Sequence, residues 1–328
     1  MKVSVIIPVY NAENYIEECL LSVMQQDYAD IEIILVNDFT PDRSFLRAKE
    51  VISQNIWQGT VQYLEHDRNR GPSAARNTGI AHSKGEYLFF LDNDDTLTDK
   101  TAISYLVECA LETATPRDLV VGNFQKIAGN RVDFILASHQ RSYSENVDVF
   151  KDYALSKLWV IGCAKLIHRD FLVQNQLFFK EGIFHEDVLW AFYLYRVVSN
   201  IYSTPKIVYN HYEREGSITW DVKERNIRDQ ITVILMMYQA YLDQPDYLPK
   251  ETLFVIELYR KEVLEWLVTI DAKNLSISIE AFILEQVKRL KQIKVPAKTG
   301  RSRFNKQNLW LRLPAKILTQ ILIKRRNR

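Results

Sequence analysis

Residues 3–91 alternate short apolar runs with segments of helical spacing, and this alternation restricts the fold more than any other feature of the chain. VSVIIPV (3–9) and IEIILV (31–36) are β-branched and nearly free of polar residues; VQYLE (61–65) and EYLFFL (86–91) follow as further strands. Between them Ile16, Leu20 and Val23 share one helical face, with Asn11 expected as the N-cap. A second helix is expected from Ser44 to Gln54, and a third from Pro72, a residue suited to the first helical position, through Ala81. Strands apolar on both faces belong in a parallel sheet covered by helices on both sides, so the expected class is α/β. Beyond residue 99 the pattern loosens: a helix over 102–113, a strand at 119–124, a mixed region around Trp159, Gly162 and Cys163, a helix over 184–199, a strand and polar loop within 202–219, then helices to about residue 270.

Hydrophobic residues at 47% and charged residues at 25% exclude disordered and collagen-like classes. The N-terminal apolar run stops at Pro8 without a cleavage-type site, so no secretory signal is expected, and no run reaches the roughly 18–20 apolar residues of a membrane span. Cys19, Cys109 and Cys163 are odd in number, lack a CxxC pair and sit among apolar residues; they read as reduced core residues of a cytoplasmic protein. The net charge of +1 conceals an asymmetry, because all fourteen charged residues after Glu285 are basic, which leaves −13 for the rest.

LFFLDNDDTL (88–97) drives an apolar strand into Asp92, Asn93, Asp94 and Asp95. Carboxylates so close repel one another, and a cation would relieve that repulsion. If the strand continued, Asp92 and Asp94 would face one side and grip a hard divalent ion, Mn²⁺ or Mg²⁺. A solvated turn ahead of a helix is the plain alternative. Ligands of such sheets bind beyond the carboxyl ends of the strands, where Tyr10-Asn11, Asn37-Asp38 and the acidic cluster all fall. Two enzyme classes use an acidic strand end of this kind. Haloacid-dehalogenase-like phosphohydrolases carry DxDx[TV], matched by Asp92, Asp94 and Thr96; nucleotide-sugar-dependent glycosyltransferases of GT-A type carry a metal-holding DxD.

Five segments in order favour the second class. SVIIPVYNAENYIEECLLSVMQQ, EIILVNDFTPDRS, RNRGPSAARNTGIAHSKGEYLFFLDNDD, HEDVLW and YNHYEREGSIT together resemble family 2 glycosyltransferases over about residues 2–219. The resemblance implies a GT-A (Rossmann-like), mainly parallel sheet flanked by helices, with a helical C-terminal extension. Implied boundaries are a catalytic domain at 1–220, the extension at 221–287 and a basic tail at 288–328. It further implies metal-dependent, inverting transfer of a sugar from a nucleoside diphosphate, UDP first, to a glycan or lipid-linked acceptor in surface polysaccharide assembly.

By the same resemblance, Asp187 is the base and Glu186 its second. Asp38 accepts a hydrogen bond from the nucleobase, with Pro8, Tyr10 and Asn11 flanking it; Phe39-Thr40 stands where the family usually has Gly-Ser. Arg70 and Arg76, beside a helix N-terminus that favours anions, are expected near the nucleotide with Asp92, Asn93, Arg214 and Ser217. The metal is assigned to Asp94 first, then Asp92, Asp95 and His211. In the tail, Ile317, Leu318, Ile321, Leu322 and Ile323 alternate with Lys and Arg, a composition suited to an anionic membrane surface. Few aromatics and no nucleic-acid motif accompany that charge, so nucleic acid is not an expected partner. The expected location is cytoplasmic, peripheral on the inner face of the membrane.

Overall fold

β1 (Val3–Val9) is buried at all seven positions, which only a strand covered on both faces can be. In the computed structural model, which describes residues 1–129, 131–135, 140–214, 223–244, 249–294 and 310–327, it lies inside a mixed sheet. The chain leaves β1 through α1 (Ile16–Met24) to β2 (Ile31–Asn37), then through α2 (Ser44–Gln54) to β3 (Thr60–Glu65). α3 (Pro72–His82) carries it back across β1 to β4 (Tyr87–Phe90). All pairings in the order β3-β2-β1-β4 are parallel. Chain direction across the sheet reverses between β1 and β4, which opens a crevice at their carboxyl ends.

Packing holds this half closely. A Cβ on Gly79 of α3 would lie 2.3 Å from Ile6 Cγ2 of β1, so the helix approaches the sheet at a distance only glycine permits. At the opposite, amino-end edge Glu32 is buried and accepts hydrogen bonds from the Ser4 hydroxyl, Gln62 and the Lys84 and Gly85 amides. Burial works against its charge, but these donors outweigh it and hold the carboxyl below its ordinary value.

The second half is less regular. β5 (Thr96–Leu97), α4 (Ala102–Leu111), β6 (Leu119–Ala128), β7 (Arg131–Ile135), β8 (Arg141–Tyr143), α5 (Asn146–Ala154), β9 (Lys165–His168), α6 (Arg169–Gln174), α7 (Glu186–Val197) and β10 (Ile201–Tyr212) follow in order. β9 runs antiparallel between β4 and β6, while β6 and β10 pair in parallel. β5 and β8 add antiparallel to β10. The sheet is thus parallel through its first four strands and mixed beyond.

Asn11 does not cap α1. Its φ of +49° sets it in the left-handed region, and the helix starts only at Ile16 after Tyr15.

Two compact units are present: Met1–Gly182 with Glu186–Arg214, and Ile183–His185 with Glu215–Arg328. The second contains α8 (Glu224–Asp243), α9 (Pro249–Thr269), α10 (Ile279–Leu290) and α11 (Ala315–Arg326). Ile227, Ile231 and Ile234 of α8, Phe282, Ile283 and Val287 of α10, and Leu318 and Leu322 of α11 supply buried apolar faces at helical spacing. Among the described residues no helix is long and apolar enough to cross a membrane. All three cysteines are buried and free, as their apolar surroundings suggested.

Candidate active site

The acidic cluster does not continue the strand. β4 stops at Phe90, and the Asp95 amide donates to the Asp92 carbonyl at 3.1 Å, closing a turn. Asp92 accepts from Arg76 at 2.7 Å, and the Cys163 thiol lies 3.4 Å from its other oxygen. Burial raises its pKa, but the Arg76 guanidinium outweighs that and leaves it below the ordinary value. Asp95 is buried and its oxygens are filled: Oδ2 by the Tyr209 hydroxyl (2.7 Å) and His211 Nδ1 (3.0 Å), Oδ1 by the Tyr212 amide (2.9 Å). Asp94 differs from both. Burial, then the charges of Asp95 and Asp92, push its carboxyl up to about 6.

His211 is the nearby nitrogen donor. Its Nδ1 lies 3.0 Å from Asp95 Oδ2, and that hydrogen bond raises the imidazole's pKa above its ordinary value; Nε2 makes no hydrogen bond among the described residues. A carboxylate behind a histidine fixes its tautomer and orientation in this way at metal sites. Among the described residues no group of three or more His, Cys, Asp and Glu side chains is arranged around an ion. Carboxylate oxygen and imidazole nitrogen are both donors that Mn²⁺ or Mg²⁺ accepts alongside phosphate oxygens and water.

The turn also sits against β10. The Arg214 guanidinium donates to the Asp94 carbonyl at 2.9 Å and lies 3.8 Å over the Tyr15 ring and 4.8 Å from that of Tyr212. Asn93 donates to the Tyr10 carbonyl at 3.0 Å, tying the ends of β4 and β1.

Several residues expected at the nucleotide are turned inward. Pro8 is buried within β1, paired with Val36. Asp38 is buried too: Oδ1 accepts from the Arg70 amide (2.8 Å) and lies 2.7 Å from His66 Nδ1, and Oδ2 accepts from the Gly71 amide (2.7 Å). The anion at the start of α3 is therefore the protein's own carboxylate, held by the amides just ahead of Pro72. Arg70 extends outward to pair with Glu181 at 3.1 Å. Arg76 is also buried, and its guanidinium bridges Asp92 and Glu186 at 2.7 and 2.9 Å, so its charge is spent inside the protein. Tyr10 and Asn11 are exposed at the end of β1, and Ser217 lies outside the described residues.

α7 begins with the acidic pair. Glu186 is neutralised by Arg76, whereas Asp187 forms no ion pair among the described residues and accepts only from the Val188 amide at 2.8 Å. Burial, then the adjacent Glu186, push the Asp187 carboxyl up to about 7. A carboxyl with that pKa is divided between its two protonation states at neutral pH.

Sequence reasoning missed His66, Tyr209 and Cys163. His66 follows β3 directly, at the same carboxyl edge as the other polar ends, and that placement was the available signal. Tyr209 and Cys163 reach Asp95 and Asp92 across more than 70 residues, with no local pattern to mark them.

Comparison with known proteins agrees with this architecture. The model of the family described as "Glycosyl transferase family 2" matches residues 4–174. The glycosyltransferase GlyA of Streptococcus pneumoniae is 32% identical over 231 residues, 66% of this chain and 31% of that protein. The uncharacterized glycosyltransferase EpsJ of Bacillus subtilis is 31% identical over 223 residues, 66% of this chain and 62% of that one. The chain thus spans less than two thirds of either relative. In structure it is similar to S. aureus TarS residues 1–349 in complex with UDP-GlcNAc, with a TM-score of 0.72 at 16% identity, over 99% of this chain and 91% of that one. The fold is GT-A. The phosphohydrolase alternative is not favoured.

Proposed function

The chain belongs to glycosyl transferase family 2 and is a glycosyltransferase, and from that premise we propose that it moves a sugar, with inversion, from a UDP-sugar to a glycan or lipid-linked acceptor in surface polysaccharide assembly. The observation that carries the reading is the contrast at the start of α7, where Arg76 pairs with Glu186 while Asp187 makes no ion pair among the described residues and its carboxyl is pushed up to about 7 by burial and Glu186, against the weaker pull of Arg76 and Lys165. The acceptor hydroxyl oxygen attacks the anomeric carbon from the face opposite the nucleotide. Its proton passes to Asp187 as the bond from that carbon to the diphosphate oxygen breaks, and the leaving nucleotide keeps the electron pair. General-base assistance of this kind is worth about 10²–10⁴ in rate.

Tyr10, Asn11 and Asn93 are assigned to the nucleotide, with Arg70 and Arg214 on the diphosphate side. Arg214 is held by Asp94 and Tyr15 in a fixed pose, which supports a preorganised contact to developing charge. Asp94 and His211 would hold Mn²⁺ or Mg²⁺, which when bound neutralises the diphosphate as negative charge builds on it. Asp92 and Asp95 support these groups from behind. The similar structure that binds UDP-GlcNAc favours UDP as the nucleotide. Residues 1–220 are assigned to catalysis, 221–287 to a helical extension and 288–328 to a basic segment for the inner membrane surface. Lys316, Lys324 and Arg325 lie exposed on α11, in keeping with that assignment.

A donor screen tests the reading: the full chain with Mn²⁺ or Mg²⁺, lipid-linked acceptors and UDP-, GDP- and dTDP-sugars, read by nucleotide release. UDP release that depends on both metal and acceptor is expected. Release confined to GDP or dTDP would overturn the nucleotide assignment.

A further inference from the structure

Phe39 occupies a position where a bulky side chain carries a backbone cost. Its φ of +56° places a bulky residue in the left-handed region that favours glycine, and the residue is 59% exposed, so burial does not compensate. Its ring contacts no other aromatic ring or cation among the described residues. The surrounding loop nonetheless fixes it. The Thr40 amide donates to Asn37 Oδ1 (2.9 Å), the Thr40 hydroxyl to Asp42 Oδ1 (2.6 Å), and the Asn11 amide to the Thr40 hydroxyl oxygen (2.9 Å). A strained residue held so firmly beside a binding crevice points to a ligand.

The register identifies which part of the ligand. Val9 of β1 pairs with Asn37 of β2, and the Asp38 amide donates to the Val9 carbonyl at 3.0 Å, so Tyr10 and Phe39 leave neighbouring strand ends about 4.8 Å apart. Tyr10 is likewise exposed, at 41%, and likewise without a ring partner among the described residues. Two free aromatic faces at the carboxyl edge match a flat π-surface, and the nucleobase is the one such surface in a sugar nucleotide. Resting on the UDP-sugar reading above, we propose that Phe39 is a second aromatic face which, with Tyr10, stacks the base of the donor.

Calorimetric titration of the full chain with UDP and with inorganic pyrophosphate, both with Mn²⁺, tests this. Phe39→Ala should weaken UDP by about 5- to 100-fold, the range for losing one base–aromatic stack, and leave pyrophosphate unchanged. Phe39→Trp should keep wild-type affinity. Phe39→Gly should lose UDP affinity while melting at or above the wild-type temperature, a combination that a merely structural side chain would not give. Equal UDP affinity in wild type and Phe39→Ala, or equal losses for UDP and pyrophosphate, would overturn the proposal. A wild-type protein that binds pyrophosphate but not UDP would overturn the UDP reading itself and this proposal with it.

Discussion

Replacing Arg76 by Met should both destabilise the fold and undo the arrangement at α7. The side chain is 8% exposed and pairs with Asp92, 34% exposed, and Glu186, 14% exposed. Removing one member of a buried pair costs about 3–5 kcal/mol because the partner charge is stranded; with Asp92 a third open to screening water, the expected loss is about 2–4 kcal/mol. The Arg76 guanidinium also lies 5.2 Å from the centre of the Phe179 ring, and Met, an apolar side chain of similar reach, keeps bulk beside that ring while removing the charge. The pH dependence separates charge from packing. Arg76 holds Asp92 below its ordinary value, so the pair contributes stability that is present above the unfolded carboxyl pKa, about 3.9, and is lost as pH falls through the lower folded value. In Arg76→Met the stranded carboxylates take up protons more readily, and the deficit should shrink from pH 7 toward pH 4. Urea unfolding followed by tryptophan fluorescence across that range measures it. A deficit under about 1 kcal/mol at pH 7, or one unchanged by acid, would refute the charge-clamp argument.

Three further outcomes follow from the geometry. Because Asp187 is pushed up to about 7 and only its carboxylate accepts a proton, kcat/KM should rise about tenfold per pH unit below 7 and level off above it; a profile flat from about pH 5.5 to 8.5 would contradict this. His211→Ala should raise the Mn²⁺ concentration needed for half-maximal UDP release by about 10-fold or more, measured by metal titration at saturating UDP-sugar. Gly79→Ala should lower Tm, with a loss of about 1–3 kcal/mol from its collision with Ile6, although alanine is the better helix former; a raised Tm would mean that α3 shifts freely on the sheet.

The first half of the fold was open to sequence reading because local and tertiary preferences agree there. β1 is apolar on both faces because it is central, and α3 starts at the proline that marks it. β9 was hidden by its brevity and by Lys165, a wholly buried lysine whose pKa burial lowers to about 7 at the start of a four-residue strand. β5 has two residues, too few for any period to register. At the site, the acidic cluster and the Glu186-Asp187 pair stood out as concentrations of charge. Their connection did not, since Arg76 joins positions 16 and 110 residues away, and an inward-facing arginine looks the same in sequence as one that faces a phosphate. The same holds at Asp38 and Asp95, where the sequence carries no sign of the amides, hydroxyl and imidazoles that meet their oxygens.

The central claim is that Asp187 takes the acceptor's proton and does not hold the donor. Asp187→Asn compared with wild type, by UDP titration and by sugar transfer with the donor and acceptor found in the screen, tests it most directly. UDP affinity within about twofold of wild type and transfer reduced by about 10²–10⁴ is the predicted result. Transfer at the wild-type rate would contradict the assignment.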